Sequence, residues 1–284
     1  MLRSYKVTIS DILISPDISC AKQPITNNKQ PKLMPTAFRL ENISKVYANG
    51  TVALQNLNLT VGEGEFVSLV GTSGCGKSTV LKLIAQLDSL SSGKIIWGKQ
   101  HQENRNLAFV FQEAALMPWA KVVDNVRLPL KLAGVAQLKS RAMVEKALTL
   151  VGLQGCEQRY PRELSGGMKM RVSIARALVT QPRIMLMDEP FGALDDLTRT
   201  KLNLDLLALW QEKGWTVVFV THNISEAVYL SQRVVVMGAH PGRVVAEIGI
   251  DAPYPRSEEF RTSVLANKYC REVAAYLREG TKVV

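Results

Sequence analysis

Residues 71–79, GTSGCGKST, constrain the fold of this chain more than any other stretch, because they match G-x-x-x-x-G-K-[ST] at every fixed position. That pattern is a loop with a strand before it and a helix after it, and both neighbours are legible. GEFVSLV (Gly64 to Val70) is a buried-strand run, and Lys77 to Leu87 carries a helical pattern. Gly71, Gly74 and Gly76 let the backbone turn tightly enough to aim successive N–H groups at phosphate oxygens, with Thr72, Ser73, Cys75 and Thr79 completing the cradle. The positive end of the following helix dipole reinforces it. Lys77 then reaches the β and γ phosphates of a nucleoside triphosphate, and the Ser78 hydroxyl ligates Mg²⁺. The bland alternative is a glycine-rich turn with a chance lysine, which the flanking strand and helix argue against.

A phosphate loop alone does not separate the many enzymes that carry one, so the chemistry must be sought downstream. In RIMLMDEP, the apolar run Ile184 to Met187 is a short central strand that delivers Asp188 and Glu189 to the carboxyl end of a sheet, where α/β proteins place their ligands. Asp188 is positioned to hold Mg²⁺, directly or through water, and Glu189 to act as general base on the attacking water. An acidic pair after an apolar run also serves as a helix N-cap, and this pair taken alone fits both. ELSGGMKMRVSIARAL (Glu163 to Leu178) adds a second bare, N–H-rich helix start at Ser165, Gly166 and Gly167. By itself that is a capped helix terminus; beside the phosphate loop it is a second place for an anion to bind.

Taken together, the phosphate loop, the acidic pair and the LSGGM run resemble the nucleotide-binding subunit of ATP-binding cassette (ABC) transporters. The resemblance covers about residues 38–250 and implies an α/β fold: a P-loop NTPase (RecA-like) parallel-sheet core with an antiparallel β subdomain and an inserted α-helical subdomain. It implies an ATPase using ATP and Mg²⁺ in a homodimer or pair of cassettes, with Ser165, Gly166 and Gly167 of one subunit capping the γ-phosphate held by the P-loop of its partner. Met168 stands where the family most often has Gln. By the same resemblance Gln112 senses Mg²⁺ and the γ-phosphate, His222 hydrogen-bonds the γ-phosphate, GALDD (Gly192 to Asp196) communicates across the subunit interface, and Tyr47 stacks on adenine. Stacking of that kind is worth about 1–3 kcal/mol without reading the base. The ordinary alternatives are a satisfied histidine ending the strand Thr216–Thr221 and an edge-strand tyrosine.

Within the family, LMPW after Gln112, the LSGGM run and DAPYPRSEEFR resemble the import group for nitrate, sulfonates and taurine. The implied partners are integral membrane permease subunits and a separate substrate-binding protein, and the implied location is peripheral, on the cytoplasmic face of the inner membrane. Leu116, Met117 and Trp119 are either ordinary core residues or the lining of a groove for a permease helix. The alternative is a soluble ABC-type ATPase of DNA repair or translation. Such proteins usually carry a second cassette or a coiled-coil insertion, and this chain has neither.

Composition narrows the reading further. No run approaches the roughly 18 apolar residues of a bilayer-spanning helix. The formal charge of +10 is dispersed, with five Lys or Arg against two Asp in residues 1–37 and six against five acids in residues 251–284, and no basic run is interleaved with aromatics, so a nucleic-acid partner is not expected. Cys20, Cys75, Cys156 and Cys270 lack metal or disulfide spacing, and Cys75 is expected as a free, modifiable thiol. Residues 1–37 are expected to form a disordered extension without a signal peptide, about 114–170 a helical subdomain, and 251–284 a tail with one amphipathic helix from Ser257 to Arg278. HPGR is expected to join two strands by a type II turn centred on Pro241 and Gly242; His101 and His240 are expected in polar turns, without a role.

Overall fold

The computed structural model describes residues 35–102 and 106–281. The expected extension falls largely on residues 1–34, outside the described residues, and ordered structure starts slightly before the expected boundary, with strand β1 (Thr36–Val46). This strand pairs antiparallel with β2 (Val52–Gly62) on one side and β4 (Ser92–Trp97) on the other, giving the order β2-β1-β4. The alternation seen in sequence becomes the inner face of this small sheet. Phe38, Leu40, Leu57, Leu59 and Val61 are all buried, and the Phe38 ring packs against Trp97 at 5.4 Å.

The main sheet has six strands in the order β5-β6-β7-β3-β8-β9. Here β3 (Phe66–Gly71), β5 (Leu107–Val110), β6 (Ile184–Asp188), β7 (Thr216–Thr221) and β8 (Arg233–Gly238) run parallel, and β9 (Arg243–Gly249) closes the edge antiparallel to β8. The inner strands are buried over nearly their whole length because layers cover both faces, which is why they read as continuous apolar runs rather than alternations. Helix α1 (Lys77–Ile84) follows β3; it ends before Leu87 because Gln86 turns left-handed at φ 58°.

Between β5 and β6 the chain departs from α/β alternation into α2 (Val122–Leu132), α3 (Gln137–Leu150) and α4 (Gly166–Leu178). Val122, Val126 and Leu130 of α2 share one buried cluster with Val144, Leu148 of α3 and Met170, Ile174 of α4. Helix α5 (Asp196–Lys213) carries Leu202, Leu206, Leu209 and Trp210 into the same cluster and stops at the left-handed Gly214, as its pattern predicts. A short helix, α6 (Ile224–Leu230), leads from β7 to β8.

Two local expectations are corrected. The tail forms two helices, α7 (Glu258–Thr262) and α8 (Val264–Thr281), because Ser263 is extended (ψ 156°) and its hydroxyl caps the second helix by accepting from Ala266 N at 3.1 Å. The β8–β9 turn is not type II: Gly242 is not left-handed, whereas His240 is (φ 53°), and the His240–Pro241 bond is cis.

Candidate functional site

The carboxyl end of β3 runs directly into the loop at Gly71, whose missing side chain lets the loop fold back: a Cβ there would lie 2.4 Å from Cys75 Sγ and 2.9 Å from the Met237 carbonyl oxygen. Gly74 and Gly76 take φ values of 77° and 91°, the left-handed turns that point N–H groups inward. The loop closes around a cation. Lys77 Nζ donates to the carbonyl oxygens of Gly71 at 2.9 Å and Thr72 at 3.1 Å and lies 3.9 Å from Glu189 Oε1, with only 5% of its side chain exposed. Cys75 is free, as expected, but not readily modified: its residue is fully buried, and burial pushes the thiol up in spite of the opposing pull of Lys77.

Parallel neighbours bring the acidic pair to this loop. Ser78 Oγ donates to Asp188 Oδ1 at 2.9 Å, although 110 residues separate them. Burial, with a smaller contribution from the like charge of Glu189, raises the Asp188 carboxyl above its ordinary range, while the Ser78 hydrogen bond opposes the shift. Glu189 is left-handed (φ 45°), an uncommon state for a side-chain-bearing residue, and is fastened there by its N–H to Val220 O at 2.9 Å. His222, at the end of β7, places Nδ1 3.0 Å from Glu189 Oε2. Lys77, Ser78, Asp188, Glu189 and His222 are therefore one connected group, and the helix-cap alternative for the acidic pair falls away, since no helix starts there.

An alcohol and a carboxylate at hydrogen-bond distance suit Mg²⁺, which takes one or two protein oxygens and fills its shell with phosphates and water. Among the described residues no group of three or more His, Cys, Asp or Glu is arranged to hold a metal by itself. The residues present fit Mg²⁺ held jointly with phosphate.

Tyr47 follows β1 rather than lying within it, and its hydroxyl meets Thr79 Oγ1 at 3.3 Å, anchoring the ring beside the loop. Gln112 is not brought to the others: it lies on the exposed loop two residues past β5 and makes no hydrogen bond to Lys77, Asp188 or Glu189. The Ser165 hydroxyl caps α4 by accepting from Met168 N at 3.3 Å. Gly166 and Gly167 pack toward the GALDD segment and the start of α5; a Cβ on Gly167 would lie 2.6 Å from Thr198 Cγ2. The two N–H-rich helix starts thus face different parts of the chain.

Three positioning residues escaped the sequence reading. Gly242 donates its N–H to Ala53 O at 3.1 Å and accepts from Gln55 N at 3.0 Å, which fastens the β8–β9 turn to β2, and a Cβ on it would lie 2.4 Å from the Cys75 carbonyl oxygen, so the turn also lies against the phosphate loop. Arg176 of α4 donates to the carbonyls of Ala114 and Ala115 at 2.8 Å each, tying the LSGGM helix to the loop after Gln112. Arg199 donates to the carbonyls of Phe191, just before GALDD, and Leu194, within it. The first two are backbone contacts across many residues and the third a local one, with Arg176 in the last turn of α4 and Arg199 in the first turn of α5; no local pattern pointed to their acceptors.

Trp119 is 77% exposed, so the core reading fails for this residue, while Leu116 packs partly against the core and Met117 is held by Asn125. Among the described residues no helix is long and apolar enough to cross a membrane. His101, by contrast, is no polar-turn residue: it is 2% exposed.

The family model described as ABC transporter matches residues 54–192. An uncharacterized ABC transporter ATP-binding protein of Methanocaldococcus jannaschii is 43% identical over 256 residues, 88% of this chain and 95% of that protein. An aliphatic sulfonates import ATP-binding protein of Bacillus cereus is 43% identical over 237 residues, covering 80% and 93%. Among solved structures, a dimeric ATP-binding cassette in a post-hydrolysis state with ADP and Pi is 35% identical, with a TM-score of 0.66, over 76% of this chain and all of the other.

Proposed function

The chain belongs to the family of ABC transporter ATP-binding proteins, and from that premise we propose that it hydrolyses ATP between two copies of itself to drive import of a small solute of the sulfonate, taurine or nitrate class. The observation that carries the hydrolytic reading is the connected group of Lys77, Ser78, Asp188, Glu189 and His222. Lys77 exchanges its two loop carbonyls for β- and γ-phosphate oxygens. Ser78 and Asp188 would hold Mg²⁺, which when bound would supply positive charge to the phosphates. Glu189 takes the proton of the attacking water, and the partner at its other oxygen, His222, orients it and reaches the γ-phosphate. Tyr47 stacks on the base, with residues 71–79 around the phosphates. Gln112 enters the site when its loop, pinned by Arg176, moves inward.

The separation of Ser165, Gly166 and Gly167 from the phosphate loop within one chain supports completion of each site by the partner subunit. Closing such a dimer from 1% to 99% requires about 5.5 kcal/mol of preference for the closed form, a load two phosphate-bridged sites share. The exposed Trp119 beside the loop after Gln112 supports a permease contact there, and with it a peripheral position at the cytoplasmic membrane face. The relatives' names favour transport over DNA repair or translation, and the sulfonate relative's name favours import; a separate substrate-binding protein belongs to the same proposal.

The test is light scattering of Glu189→Gln protein with ATP. It is expected to form a nucleotide-trapped dimer with turnover reduced about 10²- to 10⁴-fold, the usual share of a general base. Adding Ser165→Arg is expected to abolish the dimer, and a trapped dimer that survives it rules out the shared site. The solute class is tested by uptake of an alkanesulfonate, taurine and nitrate with the permease; transport of none of them refutes that part.

A further inference from the structure

At the opposite edge of the main sheet from the phosphate loop, where β6 and β7 begin, lies a cavity of about 670 Å³. Its size falls in the range that holds a small organic molecule. It opens between α3 and the sheet core, with Leu178 and Val179 at the end of α4 forming part of one wall and Met143, Leu150 and Trp215 supplying further apolar surface. Its polar lining is unbalanced. Lys146, Arg183 and Lys213 line it with the single carboxylate of Glu63, and among the described residues only Lys213 of the three cations is paired with a carboxylate elsewhere, that of Glu212.

His101 lines the same cavity, buried, with neither ring nitrogen in a hydrogen bond; the nearest carboxylate oxygen, on Glu63, is 3.7 Å away. Buried polar side chains are satisfied in the large majority of cases, so an imidazole with two idle nitrogens on a cavity wall marks a place for a ligand group. Burial holds this imidazole below its ordinary pKa, against the pull of Glu63, so near neutral pH it carries one N–H donor and one bare nitrogen, both just beneath the cavity surface. The sheet, the helix and the charge surplus define what fits: an acid group to meet the cations and the N–H, and a short apolar body against Met143 and Leu150.

We propose that this cavity is a second ligand site, separate from the nucleotide site, that binds a small organic anion with an apolar body. Its occupant touches the far end of α4, whose near end carries Ser165 to Gly167, and the far end of α5, which follows GALDD.

The test is calorimetric titration of hexanoate into the full chain saturated with ADP and Mg²⁺ at neutral pH. Saturable one-to-one binding is expected. Ala142→Trp, which narrows the mouth from an exposed position, and Lys146→Glu, which reverses an exposed cation, are each expected to weaken it at least about tenfold while thermal melting is unchanged. His101→Phe, which keeps the buried ring volume but removes both nitrogens, is expected to weaken it as well. Absence of saturable heat up to about 10 mM overturns the proposal. So does equal binding of hexylammonium, or hexanoate binding that ignores both surface variants.

Discussion

Gly242→Ala isolates the brace beneath the phosphate loop. The added methyl would lie 2.4 Å from the Cys75 carbonyl oxygen, 2.6 Å from that of Ala53 and 2.9 Å from Leu54 Cδ2. Two of these three neighbours are backbone, one belonging to the phosphate loop and one to β2, so relief requires moving a strand or the loop by several tenths of an ångström. Overpacking of this kind costs about 1–3 kcal/mol. The strand β2 is fastened along its length to β1, whereas the loop is held mainly by its own turns, so the loop yields first. If the displacement must be reversed to bind phosphate, ATP affinity falls by about 5- to 150-fold, at 1.4 kcal/mol per factor of ten. Melting falls by about 2–12 °C, at 2–4 °C per kcal/mol in a domain of this size. The assay is titration with a fluorescent ATP analogue alongside thermal denaturation, with Gly249→Ala as control, since a Cβ at Gly249 meets nothing within 4 Å. ATP affinity within twofold of the parent, whatever the melting temperature does, would refute the bracing role.

Other consequences are open to direct measurement. Arg256 is buried and donates through Nη1 to the carbonyls of Val228, Tyr229 and Ser231 at 2.8–2.9 Å, so Arg256→Met strands three acceptors and is expected to cost about 3 kcal/mol, read as a melting temperature lower by roughly 6–12 °C; a shift under 2 °C contradicts this. Trp119→Ala is expected to reduce transport with the permease while basal ATPase and folding stay intact, and loss of basal ATPase would return Trp119 to a structural role. His101 titrates below 6.5 in the folded chain, so below that pH the unfolded chain binds a proton that the folded chain does not. Stability is full above about pH 6.5 and falls as pH drops below it, by at most about 1.4 kcal/mol per pH unit until the folded-state value is reached. His101→Phe is expected to remove that increment in pH-dependent chemical denaturation, and an unchanged slope argues against it.

Short-range physics made much of this protein legible in advance. The strand, glycine loop and helix around residues 71–79 announce themselves because turn geometry and helix initiation are settled within a few residues. Apolar runs marked β6 and β7, and the pattern closing at Gly214 marked α5, for the same reason. The acidic pair was readable as chemistry because a buried parallel strand must end at the ligand edge of its sheet.

Only the tertiary structure decided which distant groups meet. Strand order β5-β6-β7-β3-β8-β9 sets Asp188 against Ser78 and His222 against Glu189, and no local period encodes that order. The same holds for Gly242 beneath the phosphate loop and for Arg176 on its carbonyls, since a backbone acceptor leaves no residue-specific trace in the chain that supplies it. Burial was undecided too: His101 and Trp119 each sit among residues compatible with a surface or a core, and the sheet and helices packed around them buried the histidine and left the indole outside. Periodicity reports which face of an element is apolar, but what covers that face is a property of elements far away in the chain.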